Sequence, residues 1–163
     1  MRIGFDFDRV LFRTDEFKEH LEEEIPGFLE TYPSEGVYDP QEHAEKLGID
    51  PERIEQALED AERFLYEDVQ DLEELESFDL VIVSRGDESF QRKKIESSGA
   101  RKYFDEIFIV QERDKDVGEI DLLADDNTEE LERVEVPGVK VDRSREDMSE
   151  ITDRIREKLE EQE

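Results

Sequence analysis

At 163 residues the chain is long enough for one domain with a real core, or for a compact core carrying a small insert, and two full domains are not expected. Its 51 acids against 22 bases give a net charge of −29, which makes DNA and RNA poor partners, and no apolar run approaches the roughly 18–20 residues that span a bilayer. The absence of cysteine excludes disulfides and thiolate metal sites, so with only two histidines, His20 and His43, a bound metal is expected to take oxygen ligands.

The opening segment, Ile3 to Asp8, runs apolar up to an acidic pair, which predicts a strand ending at a functional edge. The acids in MRIGFDFD fall where a signal peptide needs an uncharged stretch, so the chain is expected to be soluble, unprocessed and cytoplasmic. From 13 to 77 there is no convincing strand pattern, and helical signals follow one another. One helix starts near Thr14 or Asp15 and ends around Ile25-Pro26-Gly27; another starts at Asp39 with Pro40 at its first position. A third opens at Asp50-Pro51 and sets Ile54, Leu58, Ala61, Leu65, Val69 and Leu72 along one core-facing side. His20 and His43 fall in this block and are expected to be exposed or capping residues, not catalytic ones.

Beyond it lie short apolar runs that suit buried parallel strands: LVIV at 80–83, IFIV at 107–110, IDLLA at 120–124 and, after the turn signal Pro137-Gly138, a weaker VKV at 139–141. Helical spacing fills the gaps at 88–98 and 128–134, and the tail repeats Ile151, Ile155 and Leu159 at intervals of four. Strands alternating with helices predict an α/β fold, a three-layer Rossmann-like core with a parallel sheet and right-handed crossovers. The helical block becomes a small α-helical cap inserted after strand 1, so the core takes 1–12 and 78–163 and the cap 13–77.

Ligands of open parallel sheets gather at the carboxyl ends of the strands. The residues there are Asp6 and Asp8, then Ser84 and Arg85, then the stretch from Gln111 to Lys115, then Asp125 and Asp126. Four carboxylates in one crevice repel one another unless a hard cation joins them, and oxygen-only ligation suits Mg²⁺.

These residues carry a family resemblance. IGFDFDRVLF at 3–12 resembles the first signature of the haloacid dehalogenase-like (HAD) superfamily, an apolar strand followed by DxDx(T/V), with Val10 in the last position. LVIVSRG at 80–86 is similar to the second, and LLADDN at 122–127, with the only Asp-Asp pair of the chain, is similar to the fourth. The resemblance implies a phosphatase-branch enzyme acting on a small phosphorylated metabolite. Asp6 is then the nucleophile, and Mg²⁺ is held by Asp6, the backbone carbonyl of Asp8 and the Asp125-Asp126 pair, with Asp126 as the direct ligand and Asp125 acting through water. Asp8 is the acid and base, and Ser84 holds a phosphoryl oxygen. For the lysine of the third signature, Lys115 is preferred, although its crossover at 111–119 is shorter than the family's. Lys93 and Lys94 are expected too far down a helix that leaves the edge at about 1.5 Å per residue. Arg9, Arg13 and Arg85 either gather an anionic substrate or bridge to neighbouring acids. A phosphotransferase or mutase on the same core, and a non-catalytic binding protein, are the alternative functions. The dispersed acidic charge also resembles the composition of halophilic archaeal proteins, stable where molar salt shortens screening to about 3 Å.

Overall fold

The central apolar runs form strands covered on both sides, as a parallel sheet requires, and the two edge runs are covered less completely. In the computed structural model, which describes residues 1–162, β1 (Arg2–Phe5), β2 (Asp79–Arg85), β3 (Glu106–Val110), β4 (Leu122–Asp125) and β5 (Gly138–Lys140) make one sheet, all parallel, in the order β3-β2-β1-β4-β5. The helices are α1 (Thr14–Glu24), α2 (Phe28–Thr31), α3 (Pro40–Leu47), α4 (Pro51–Ala57), α5 (Glu88–Ser98), α6 (Thr128–Arg133) and α7 (Met148–Glu161). Alternation along the strands divides the core. Ile3, Phe5, Leu80, Ile82 and Leu122 point to the side covered by α5, α7 and the helical insert, whereas Val81, Val83 and Leu123 meet Val117, Ile120 and Val134 on the other. The α/β fold with helices on both faces of a parallel sheet agrees with the sequence reading. Glu163, the last residue of the range expected for the core, lies outside the described residues.

Between β1 and β2 the named elements are all helical, and their starts follow local chemistry. Asp39 caps α3 by accepting from the Gln41 and Glu42 amides, Pro40 occupies its first turn, and Gly48 closes it in the left-handed region at φ 69°. The expected long third helix does not form. It stops at Ala57 and continues as 3-10 stretches at Leu58–Phe64 and Glu67–Leu75, with Leu65 and Tyr66 extended between them. The break arises because the backbone there bonds to the loop after β1: the Arg13 amide donates to the Phe64 carbonyl at 2.7 Å, and the Tyr66 amide to the Leu11 carbonyl at 2.9 Å. Leu65 consequently leaves the buried row, while Ile54, Leu58, Ala61, Val69 and Leu72 stay in it. The insert's buried side chains belong to the same cluster as Ile3, Ile95 and Ile155, so insert and sheet share one core. No helix among the described residues is long and apolar enough to cross a membrane.

One buried strut ties the insert to the start of α7. Arg143 grips Asp68 through both terminal nitrogens, its guanidinium lies 3.9 Å from the Tyr66 ring centroid, and Asp68 also accepts from the Met148 amide at 2.8 Å. Arg143→Ala strips a half-buried carboxylate of its charged donor and should lower the unfolding free energy by about 1–2 kcal/mol. In urea this appears as a lower midpoint with an unchanged slope.

Candidate active site

Register brings the acids together. β1 and β4 pair Phe5 with Ala124, so the next residues, Asp6 and Asp125, emerge side by side at the carboxyl edge. The position is also the topological switch point: the chain steps from β1 toward β2 and β3, then returns past β1 to β4. One ligand oxygen from each of Asp6, Asp125 and Asp126 lies within 4.8 Å of the others. Lys115 reaches this group from the helix-free crossover at 111–119, its Nζ donating to Asp6 at 3.1 Å and to Asp125 at 2.7 Å, with Glu130 at 3.5 Å.

A single ammonium cannot neutralise this many carboxylates, and the shifts show it. Burial above all, and then Asp125 and Asp126, push the Asp6 carboxyl well above its ordinary value although Lys115 pulls the other way. Burial and Asp125 also raise Asp126, against a hydrogen bond with Asp6 and the pull of Arg9. Burial opposes the Lys115 charge too, but Asp6 and Asp125 outweigh it and hold the lysine protonated. The Asp6, Asp125 and Asp126 oxygens fit a hard divalent cation: all donors are oxygen, they converge, and their charge exceeds what the protein supplies against it. Asp6 takes its hydrogen bonds from the Phe7 amide and Lys115 on Oδ1; among the described residues no N–H donates to Oδ2.

Asp8 sits on the same rim because the chain turns sharply after β1. The Phe7 carbonyl accepts from the amides of Val10, Leu11 and Phe12, and Arg9 adopts a left-handed φ of 64°, a costly conformation for a side-chain-bearing residue. Asp8 accepts from Lys94 Nζ at 2.7 Å, Thr14 Oγ1 at 3.0 Å and Gln91 Nε2 at 2.9 Å. Burial raises its pKa, but Lys94 and these hydrogen bonds prevail and hold it below the ordinary value, as a carboxylate.

Lys94 corrects the sequence reading. Its Cα stands about 9 Å along α5 from Glu88 at 1.5 Å per residue. Helical side chains lean toward the N-terminus, and this long one recovers the distance to the rim. Lys93 shares the outer side of α5 with Ser89 and Glu96. Ser84 is also not where it was expected: it is fully buried, accepts from Gln91 Nε2 at 2.6 Å and is absent from the cleft wall, which Gly86 and Gln91 form instead. Arg13 lies 5.4 Å from the Tyr66 ring and does not line the cleft. Arg85 lines it but is clamped on Glu130 by two 2.8 Å bonds and on the Gln111 carbonyl, the salt-bridging reading. Arg9 lines it with Asp15 as an exposed partner at 2.9 Å. His43 is buried, contrary to expectation, and bonds to Thr31, Tyr38 and the Phe28 carbonyl, while His20 pairs with Asp60 at 3.0 Å.

The cleft that unites these groups encloses about 720 Å³ and is lined both by Asp6, Lys115, Asp125 and Asp126 and by the insert residues Lys18, Tyr32 and Tyr38. Thr14, Gln91 and Glu130 were not singled out from the sequence as site residues, and Lys94 was weighed only as the third-signature lysine and set aside. For Gln91 and Lys94 the one usable signal was their i, i+3 spacing on a helix that starts at the catalytic edge.

No family model matches the chain, and no curated protein matches it. Solved structures do. A HAD-like family hydrolase from Porphyromonas gingivalis is similar over 95% of this chain and 97% of its own, with a TM-score of 0.62 and 16% identity. A haloacid dehalogenase-like hydrolase from Burkholderia xenovorans LB400 covers 80% of this chain and 74% of its own, with a TM-score of 0.62 and 20% identity. The HAD-hydrolase YfnB from Bacillus subtilis, described as bound to magnesium, covers 89% and 90%, with a TM-score of 0.57 and 13% identity. At such identities the likeness is one of architecture, and the chain has the fold of the haloacid dehalogenase-like hydrolases.

Proposed function

We propose that the chain is a Mg²⁺-dependent phosphohydrolase that cleaves a small phosphorylated metabolite through an aspartyl phosphate on Asp6. The observation that carries this reading is the convergence of Asp6, Asp125 and Asp126 on one rim with Lys115 between them and Asp8 two residues from the nucleophile. Mg²⁺ would be held by Asp6, the Asp8 backbone carbonyl, Asp126 and, through water, Asp125, and supplies the charge neutralisation that lets a carboxylate approach a phosphate dianion. The magnesium described for the B. subtilis hydrolase supports that choice of ion.

An Asp6 oxygen attacks phosphorus, the bond to the ester oxygen breaks, and that oxygen leaves with a proton from Asp8. Asp8 then takes a proton from water, whose oxygen attacks phosphorus and releases the Asp6 carboxylate and orthophosphate. Lys94 keeps Asp8 ionised before substrate arrives, which suits the second half; an ester dianion brought against Asp8 raises its pKa toward the protonated form that the first half uses. Lys115 steadies the Asp6 carboxylate and meets the phosphoryl oxygens. The helical insert, 13–77, serves as a lid over the core of 1–12 and 78–163 and keeps bulk water from the intermediate.

Asp8 also argues against a dehalogenase, which has no leaving oxygen to protonate. A crossover at 111–119 too short to deliver its lysine would favour a non-catalytic protein, yet it brings Lys115 to 3.1 Å from Asp6. A panel of phosphomonoesters with Mg²⁺ should release orthophosphate in step with ester loss, and EDTA should stop it. If every ester stays intact, the reading is wrong; ester loss without phosphate would favour transfer to an acceptor.

The acidic surface fits a cytoplasm of molar salt. The melting temperature should climb between about 0.1 M and about 1 M KCl, as the screening length falls from about 10 Å to about 3 Å. A melting point indifferent to KCl would remove the halophilic reading.

A further inference from the structure

The cleft is much larger than a phosphoryl group, and its charges are unevenly satisfied. Arg9, Arg85, Lys94, Lys115 and Arg133 each pair with a carboxylate. Lys18 has no carboxylate partner among the described residues, although acids outnumber bases by more than two to one. Lys93, Lys102 and Lys140 also lack such a partner, so what singles Lys18 out is its place: it is half-buried and, among the described residues, the one cation lining this cleft that no carboxylate holds.

Its position is also built. The Lys18 ammonium rests 4.1 Å from the Tyr32 ring centroid. The Tyr32 ring stacks on Tyr38 at 4.9 Å and 11°, and the Tyr38 hydroxyl bonds to buried His43 at 2.6 Å. A tyrosine pair anchored in the insert thus holds the ammonium in the cleft. Lys18 lies one helical turn past Thr14, the residue that bonds to Asp8, which places it on the Asp8 side of the cleft. Arg9 stands near enough that, after burial, it is the main influence lowering the Lys18 pKa. The Asp15 partner of Arg9 is largely exposed, so that ion pair is weak and displaceable.

We propose that Lys18, with Arg9 beside it, binds a second anionic group on the leaving portion of the substrate, so that the ester is a phosphate monoester whose tail carries a carboxylate or a further phosphate. The inference rests on the phosphohydrolase reading only in taking the Asp8 side as the leaving-group end. It also accounts for how an anionic substrate enters a protein of charge −29: two local cations, Lys18 of the insert and Arg9 of the core, offset the surrounding field.

The test uses three esters of equal carbon count: propyl phosphate, 3-phosphooxypropionate and 1,3-propanediol bisphosphate, with Mg²⁺ at a KCl concentration that keeps the chain folded. At least one of the two anionic tails should raise kcat/KM at least tenfold over propyl phosphate, and which one does identifies carboxylate or phosphate. Lys18→Gln should bring that preference to within about threefold, Lys18→Arg should keep it, and Lys46→Gln, an exposed lysine of the same insert, should not change it. Equal use of all three esters, or a preference that survives Lys18→Gln, overturns the proposal. If none of the esters is hydrolysed, the phosphohydrolase reading falls, and calorimetric titration of the same compounds decides this one. Tighter binding of an anionic tail that Lys18→Gln abolishes sustains the site, and equal binding overturns it.

Discussion

Asp6→Asn should lower kcat by about 10³-fold or more, equivalent to at least about 4 kcal/mol of barrier, while leaving the protein folded. The loss is large because the amide cannot form the phosphorylated intermediate, and no other carboxylate of the rim replaces it. Asp125 is tied down by Lys115 and the Asn127 amide, and Asp8 by Lys94, Thr14 and Gln91. Stability should move the opposite way. Asp6 is buried among carboxylates that already raise its pKa, so replacing its charge with a neutral isostere removes repulsion, and the melting temperature in EDTA should not fall. Rapid-quench or steady-state phosphate release measures the first effect and a thermal melt the second. An Asn variant that hydrolyses aryl phosphates at the wild-type rate would show that phosphorus is attacked by another group.

How far the site was legible depended on the kind of structure that carries each residue. Asp6, Asp125 and Asp126 follow apolar runs, and a parallel sheet aligns strand ends, so one-dimensional pattern was enough to bring them together. Lys115 was reachable by the same logic, since it begins a connection at that edge. Lys94 was placed too far from the rim because counting rise per residue tracks the backbone, whereas the ammonium is set by the direction in which a helical side chain leans. Ser84 sits on the strand that leads to the site, but alternation turns its hydroxyl into the core, where only the long-range partner Gln91 reveals its place. The break at Leu65 and Tyr66 was invisible for a related reason: the bonds that replace the helix come from Leu11 and Arg13, more than fifty residues earlier. His43 looked like a surface residue on a polar helix, and its burial depends on Thr31 and Tyr38 arriving from neighbouring turns.

Lys115→Met should be the most destabilising substitution at the rim, and its cost should depend on metal and pH. The side chain is close in length but carries no charge, leaving Asp6 and Asp125 without their shared donor and Glu130 without a cation at 3.5 Å. Removing one partner from a buried ionic set typically costs about 3–5 kcal/mol. A divalent cation that binds only the folded rim returns part of it, about 2.7 kcal/mol at a hundredfold excess over its dissociation constant. The pH dependence follows from Asp6, whose folded pKa stands above its ordinary 3.8 even with the lysine present. Between those two values the folded state binds more protons than the unfolded one, so stability falls as pH rises through that window. Without Lys115 the upper limit moves higher and the slope extends further toward neutrality. Denaturant unfolding of both proteins at pH 5 and pH 8, in EDTA and in Mg²⁺, should show the largest deficit for the variant at pH 8 in EDTA. A deficit that is the same in all four conditions would mean that Lys115 acts through packing and not through the charge it shares among the carboxylates.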